Sequence, residues 1–132
     1  MSAFTESSVM TKTLRILLVE DHLDTQRLMS RVLQSFKHEV RAADSVQTAL
    51  ALASVHSFDL VISDLGLPDG TGMDFIEKVR KTRKIPAIAL TGFGMQQDVE
   101  RAQQAGFDAH LTKPVNLQKL EAAIWKLLQD RQ

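Results

Sequence analysis

At 132 residues, 44% of them hydrophobic and 24% charged, the chain has the size and composition of one soluble globular domain rather than a disordered segment. Its 16 basic and 16 acidic residues cancel, which argues against holding nucleic acid or an anionic membrane by bulk charge. There is no cysteine, so a disulfide framework, a thiolate metal site and a cysteine nucleophile are excluded.

The opening stretch MSAFTESSVMTKT lacks the basic start and long apolar centre of a signal peptide, and reads as a flexible polar tail over residues 1–13. The ordered domain is expected over 14–130. No apolar run reaches the roughly 20 residues of a membrane span, so membrane insertion is not expected.

Five apolar runs follow in order: RILLVED, EVRAAD, FDLVISD, IPAIALTG and AHLTKP. The first, third and fourth are nearly continuous in Val, Ile, Leu and Ala, as suits parallel strands covered on both faces. Amphipathic segments alternate with them. Leu28, Met29, Val32, Leu33 and Phe36 form the apolar side of a first helix. Val46, Ala49, Leu50 and Ala53 do so in a second, with Asp44 or Ser45 as its cap. A third helix is expected from Met73 to Thr82, around Phe75, Ile76 and Val79. A fourth, weaker one runs from Met95 to Ala105 on Met95, Val99 and Ala102, with Gly106 as a stop signal. The fifth, Leu117 to Gln129, carries Leu117, Leu120, Ile124, Leu127 and Leu128 on one stripe, with Trp125 off it and partly exposed. The alternation predicts an α/β fold: a parallel sheet with helices on both faces and right-handed crossovers.

In such a sheet, sites form beyond the carboxyl ends of the strands. The first run ends on Glu20 and Asp21, the third on Asp64, the fourth on Thr91 and the fifth on Lys113. Taken singly, each reads as a turn residue, a cap or a solvated charge. Jointly they bring three carboxylates, a hydroxyl and an ammonium to one rim. Three carboxylates at close quarters repel, and a hard divalent cation resolves that; Mg²⁺ uses one or two carboxylates, water and a phosphate oxygen. Lys113 offers a compact positive charge for an anion. These are the parts of a phosphoryl-transfer site with a carboxylate nucleophile.

The chain from Thr13 to Leu128 resembles the receiver domain of two-component response regulators, on LLVEDH, VISDLGLPDGTG, ALTG and HLTKP. The resemblance implies a flavodoxin-like, doubly wound sheet of five parallel strands in the order 2-1-3-4-5. It implies Asp64 as phosphoacceptor, Glu20 and Asp21 as the acidic pair for Mg²⁺ (or Mn²⁺ in its place), and the Gly66 carbonyl as a further metal ligand. It implies Thr91 as the hydroxyl that turns to the phosphoryl group, Lys113 as the cation beside it, and a cis Lys113–Pro114 bond. The donor is then a histidine kinase or histidine phosphotransfer protein, the compartment the cytoplasm, and the chain a signalling switch rather than an enzyme. Its kinase contacts would be Leu23, Gln26, Arg27 and the Pro114–Val115 region. A homodimer would use the face of the fourth helix, fifth strand and fifth helix.

His110 stands where that family commonly has Tyr or Phe, so an aromatic switch is not carried over: the histidine either rotates in its place or adds pH sensitivity, or it is a partly buried polar strand residue. Gly66 offers no side chain to guide water, and Phe93, two residues after Thr91, would hinder it instead. No DNA-binding or catalytic output element follows, which leaves a free-standing regulator, a relay intermediate or the receiver piece of a hybrid histidine kinase. An Mg²⁺-dependent aspartyl phosphatase of the haloacid dehalogenase type would need an acid at position 66 and a cap insertion. A flavin or nucleotide binder would need a phosphate cradle where EDHLDT is acidic.

Overall fold

The computed structural model describes residues 13–92 and 96–130. The expected tail up to residue 12, Phe93 and Met95 lie outside these residues. Seven strands and five helices follow in chain order: β1 Arg15–Val19, α1 Leu23–Ser35, β2 Glu39–Ala43, α2 Val46–Val55, β3 Leu60–Asp64, β4 Gly66–Leu67, β5 Gly70–Thr71, α3 Gly72–Arg80, β6 Ala87–Thr91, α4 Gln96–Ala105, β7 Ala109–Thr112 and α5 Leu117–Asp130. The large sheet is parallel throughout, in the order β2-β1-β3-β6-β7. Counted within that sheet alone, this is the expected 2-1-3-4-5.

The apolar runs become central strands because both their faces are covered. Every residue of β3 and β6 is buried, and every residue of β1 after Arg15. Alternate side chains divide between two cores. Leu17, Val19, Val61, Ala87 and Ala89 pack with Ala49 of α2, with Phe75 and Ile76 of α3 and with Ala102 of α4. Ile16, Leu18, Ile62, Ile88 and Leu90 pack with Met29 and Leu33 of α1 and Leu120, Ile124 and Leu127 of α5. Fully burying one such side chain contributes about 1.5–3 kcal/mol, so these layers outweigh any local propensity.

Two expected core positions are surface positions. Leu28 is 62% exposed; at 100° per residue it lies a full step off the Met29–Leu33–Phe36 line, outside the stripe that faces the sheet. Leu117 opens α5 and is 46% exposed, before the stripe reaches its cover at Leu120. Trp125 is partly buried, as its off-stripe position implies.

Local chemistry sets the helix starts. Ser45 caps α2 by accepting from the Thr48 N–H, and Thr71 caps α3 by accepting from Asp74. Asn116 accepts from Gln118 and Lys119 at the start of α5. A cap absent from the sequence reading comes from far along the chain. The Asp69 carboxylate accepts from Val46 N at 2.8 Å and Gln47 N at 3.0 Å, so the turn after β3 holds the start of α2. These bonds to two backbone N–H groups, Gln47 first, hold the Asp69 carboxyl below its ordinary range. The β4–β5 hairpin is likewise absent from that reading. It pairs Gly66 with Thr71 and Leu67 with Gly70, and turns the chain from the end of β3 straight into α3.

Candidate functional site

Four strand ends build the rim. β1 delivers Glu20 and Asp21, β3 Asp64, β6 Thr91, and the segment after β7 Lys113. In register, Asp64 sits beside Leu90, and Thr91 beside Thr112. One strand step therefore separates the acceptor carboxylate from the hydroxyl, and another separates the hydroxyl from the lysine strand.

Lys113 lies at the centre. Its Nζ is 2.6 Å from Asp64 Oδ2 and 2.8 Å from Glu20 Oε2. Its backbone N–H donates to the Thr91 carbonyl at 2.8 Å, and the Lys113–Pro114 peptide is cis. Burial pulls the ammonium's pKa down, but the hydrogen bonds and charges of Asp64 and Glu20 outweigh it and leave the pKa raised. The lysine is therefore a fixed cation at neutral pH.

Glu20 is wholly buried, an expensive place for a carboxylate. The backbone N–H of His22 donates to its Oε1 at 3.0 Å, and the His22 ring nitrogen Nδ1 lies 2.8 Å from the same oxygen. Gln26 Nε2 donates to the Glu20 carbonyl at 2.8 Å. Oε2 is balanced by the Lys113 ammonium 2.8 Å away and has no other partner among the described residues. Asp64 is mostly buried; its Oδ1 accepts the Gly66 N–H at 3.3 Å, and Ser63 Oγ donates to its carbonyl.

Thr91 is buried, and its hydroxyl donates to the Leu111 carbonyl at 3.4 Å. That bond is near the outer limit of length, so the hydroxyl loses little by turning elsewhere. His110 is exposed on β7 rather than partly buried; it sits beside Ala89 on the sheet's edge strand, two positions before Thr112, which pairs with Thr91. It lines a shallow cavity of about 250 Å³ with Val99, Ala102, Gln103 and Phe107. The structure thus brings Glu20, Asp21, Asp64, Thr91 and Lys113 to one rim and leaves His110 beside it.

Donor atoms of Glu20, Asp21, His22 and Asp64 all lie within 4.8 Å of one another. Three carboxylates gather there against the single ammonium of Lys113, so negative charge is in excess. The carboxylates of this set fit a hard divalent cation. His22 is a member of the rim that the sequence reading passes over. The signal is present in EDH, where a ring nitrogen directly follows two acids.

Against known proteins, the sequence profile described as the response regulator receiver domain matches residues 16–125. The KDP operon transcriptional regulatory protein KdpE of Escherichia coli is 35% identical over 109 residues, covering 83% of this chain and 48% of that protein. The chain thus spans about half of that relative's length. The polar-differentiation response regulator DivK of Brucella ovis is 32% identical over 124 residues, covering 92% of this chain and 99% of that protein. A CheY-like receiver domain protein of Methanospirillum hungatei superposes with a TM-score of 0.84 at 30% identity, over 90% of this chain and 96% of its own. The chemotaxis response regulator CheY4 of Vibrio cholerae gives 0.82 at 28%, over 88% and 99%.

Proposed function

The chain belongs to the response regulator receiver domain family, and from that premise we propose that it is a phosphoacceptor switch in which Asp64 takes a phosphoryl group from a histidine kinase or histidine phosphotransfer protein. Response regulators are signalling switches that interact with such donors, which fits a chain whose chemistry is confined to one rim. The observation that carries the reading is the Asp64–Lys113–Glu20 cluster, with Nζ–O distances of 2.6 and 2.8 Å.

A carboxylate oxygen of Asp64 attacks the phosphorus of the donor phosphohistidine. The P–N bond breaks, the imidazole leaves with the electron pair and takes up a proton, and an acyl phosphate remains on Asp64. Lys113 holds one carboxylate oxygen in place beforehand and faces the charge that develops on the phosphoryl oxygens. Glu20, Asp21, Asp64 and the Gly66 carbonyl would hold Mg²⁺ or Mn²⁺, which when bound supplies further neutralisation of that charge. The added phosphoryl group brings about 1.5–2 negative charges to the neighbourhood of Thr91. Thr91 exchanges its long bond to Leu111 for one to a phosphoryl oxygen, and the β6–α4 connection and β7 re-equilibrate around it. His110, on the strand next to Thr91, would respond through its ring. Water later cleaves the acyl phosphate to restore the carboxylate and release inorganic phosphate.

No helix among the described residues is long and apolar enough to cross a membrane, which is compatible with a cytoplasmic switch. Incubation with acetyl phosphate and Mg²⁺ tests the reading. Intact-mass measurement should find one added phosphoryl group on the wild type and none on Asp64→Asn. Full labelling of Asp64→Asn would overturn the assignment.

A further inference from the structure

His22 belongs to the rim geometrically, yet the phosphoryl-transfer chemistry uses nothing of it. Its ring Nδ1 stands 2.8 Å from Glu20 Oε1 and 3.4 Å from Asp21 Oδ1. Ligands about 2.1 Å from an octahedral ion sit about 3.0 Å apart along each edge of the octahedron. The two separations from Nδ1 therefore lie near that edge length, and the proton the imidazole now shares with Glu20 Oε1 would have to leave for an ion to take its place. Asp64 contributes a fourth donor within the same 4.8 Å cluster. The Lys113 ammonium bridges the other oxygens, Glu20 Oε2 and Asp64 Oδ2, and so leaves that triangle of donors free of it. The His22 side chain is 69% exposed, so an ion can approach it from solvent without unfolding anything. Glu20, wholly buried, is in turn fixed by the His22 backbone N–H. The imidazole is thus tied to the carboxylate it would share a metal with.

We infer that His22 is a nitrogen ligand of the divalent-cation site, and that this receiver consequently prefers ions that accept imidazole, Zn²⁺ and to a lesser degree Mn²⁺, over Mg²⁺. Mg²⁺ is hard and takes oxygen donors, and its affinity for imidazole is small. Zn²⁺ and Mn²⁺ accept mixed nitrogen and oxygen sets, with Zn²⁺ the tighter of the two. The cation bound in a cell would then be set by availability as well as by the carboxylates. This inference rests on the reading of the rim as a cation site.

The experiment is a calorimetric titration of the full chain with Mg²⁺, Mn²⁺ and Zn²⁺ chlorides at one fixed pH, on wild type, His22→Gln and Asp21→Asn. Wild type should bind Zn²⁺ at least about tenfold more tightly than Mg²⁺. His22→Gln should lose about tenfold or more for Zn²⁺ and less than about twofold for Mg²⁺. A ¹⁵N spectrum of the imidazoles should show Zn²⁺ moving the Nδ1 resonance of His22 to a metal-bound position. Equal losses for Mg²⁺ and Zn²⁺ in His22→Gln, or an unmoved His22 resonance under saturating Zn²⁺, would overturn the nitrogen-ligand inference while leaving the cation site standing. Absence of binding by all three ions in wild type, or binding indifferent to Asp21→Asn, would instead remove the cation site itself.

Discussion

Gly72 and Asp64 are in contact through their backbones: a Cβ built on Gly72 would stand 2.3 Å from the Asp64 carbonyl oxygen. No real Cβ approaches a carbonyl so closely, so the first residue of α3 has to be glycine for β3 to end where it does. Gly72→Ala must push either the helix or the acceptor strand end. Overpacking of this kind costs about 1–3 kcal/mol, visible as a lowered urea midpoint, and the displaced Asp64 should accept phosphoryl groups more slowly. Gly66→Ala is the matched control. A Cβ on Gly66 would meet nothing within 4 Å, so the stability of that variant should stay within about 0.5 kcal/mol of wild type.

The pairing of Lys113 with Glu20 predicts a coupling. Glu20 is wholly buried, while the lysine side chain is 25% exposed. Lys113→Met in metal-free buffer leaves two buried or nearly buried carboxylates facing each other, and should cost about 1–3 kcal/mol, less than a fully buried pair would. Glu20→Gln removes one of those charges, so in the double variant the two costs should not add. The cycle should give a coupling of about 0.5–3 kcal/mol. Independent, additive effects would show that the ion pair contributes nothing. The pKa of Lys113 is raised in the fold. Its contribution is therefore complete below the ordinary value near 10.5 and fades only as pH rises through the folded value.

His38 gives the opposite pH dependence. Burial lowers its pKa, and its Nδ1 accepts the Leu14 N–H at 3.1 Å, which requires an unprotonated nitrogen. Below the ordinary value of 6.5 the unfolded chain binds a proton that the fold still refuses. Stability should therefore fall as pH drops from 6.5 until it passes the lowered folded value. His22 acts the other way, because its hydrogen bond to Glu20 and the charges of Asp21 and Glu20 raise its pKa. Chemical denaturation of wild type and His38→Asn, from about pH 7 to about pH 5, isolates the His38 part by difference. An identical slope in both proteins would rule out its contribution.

Central strands and rim residues are legible in the sequence for one physical reason. A strand covered on both faces must be apolar throughout, so a carboxylate, hydroxyl or ammonium at its end stands out. Asp64, Thr91 and Lys113 show themselves that way, and the parallel sheet follows from the alternation with helices. What stays hidden depends on distant partners. Asp69 lies 23 residues from the Val46 N–H that it caps, and no local pattern announces such a bond. The β4–β5 hairpin is two residues a side, too short for any periodicity. Leu28 and Leu117 read as core from their apolar side chains, whereas burial depends on where the sheet lies beneath each helix.

The last relationship concerns the end of α1. Lys37 N donates to Gln34 O at 2.9 Å, and His38 N donates to Leu33 O at 3.2 Å. These are the paired bonds of a Schellman termination, which needs a left-handed residue between helix and strand. Lys37 fills that position at φ 75°, where an L side chain is strained by roughly 1–2 kcal/mol. Glycine would remove the strain but carries more freedom into the unfolded chain, which returns part of the gain. Lys37→Gly should therefore stabilise by about 0.5–1 kcal/mol and leave phosphorylation of Asp64 untouched. The reverse exchange is available at the end of α4. Gly106 has φ 125°, and a Cβ there would lie 3.1 Å from Arg80 Cγ. Arg80 donates to the Gly106 carbonyl from Nη2 at 2.8 Å and from Nε at 3.2 Å, and also bonds the Ile85 carbonyl and Asp108. Gly106→Ala should thus destabilise by more than Lys37→Gly gains, since it adds strain in φ and displaces a side chain that ties α3 to the start of β7. Thermal unfolding of the two single variants beside wild type reads both signs, and a midpoint lowered in Lys37→Gly would show that the left-handed lysine is not strained.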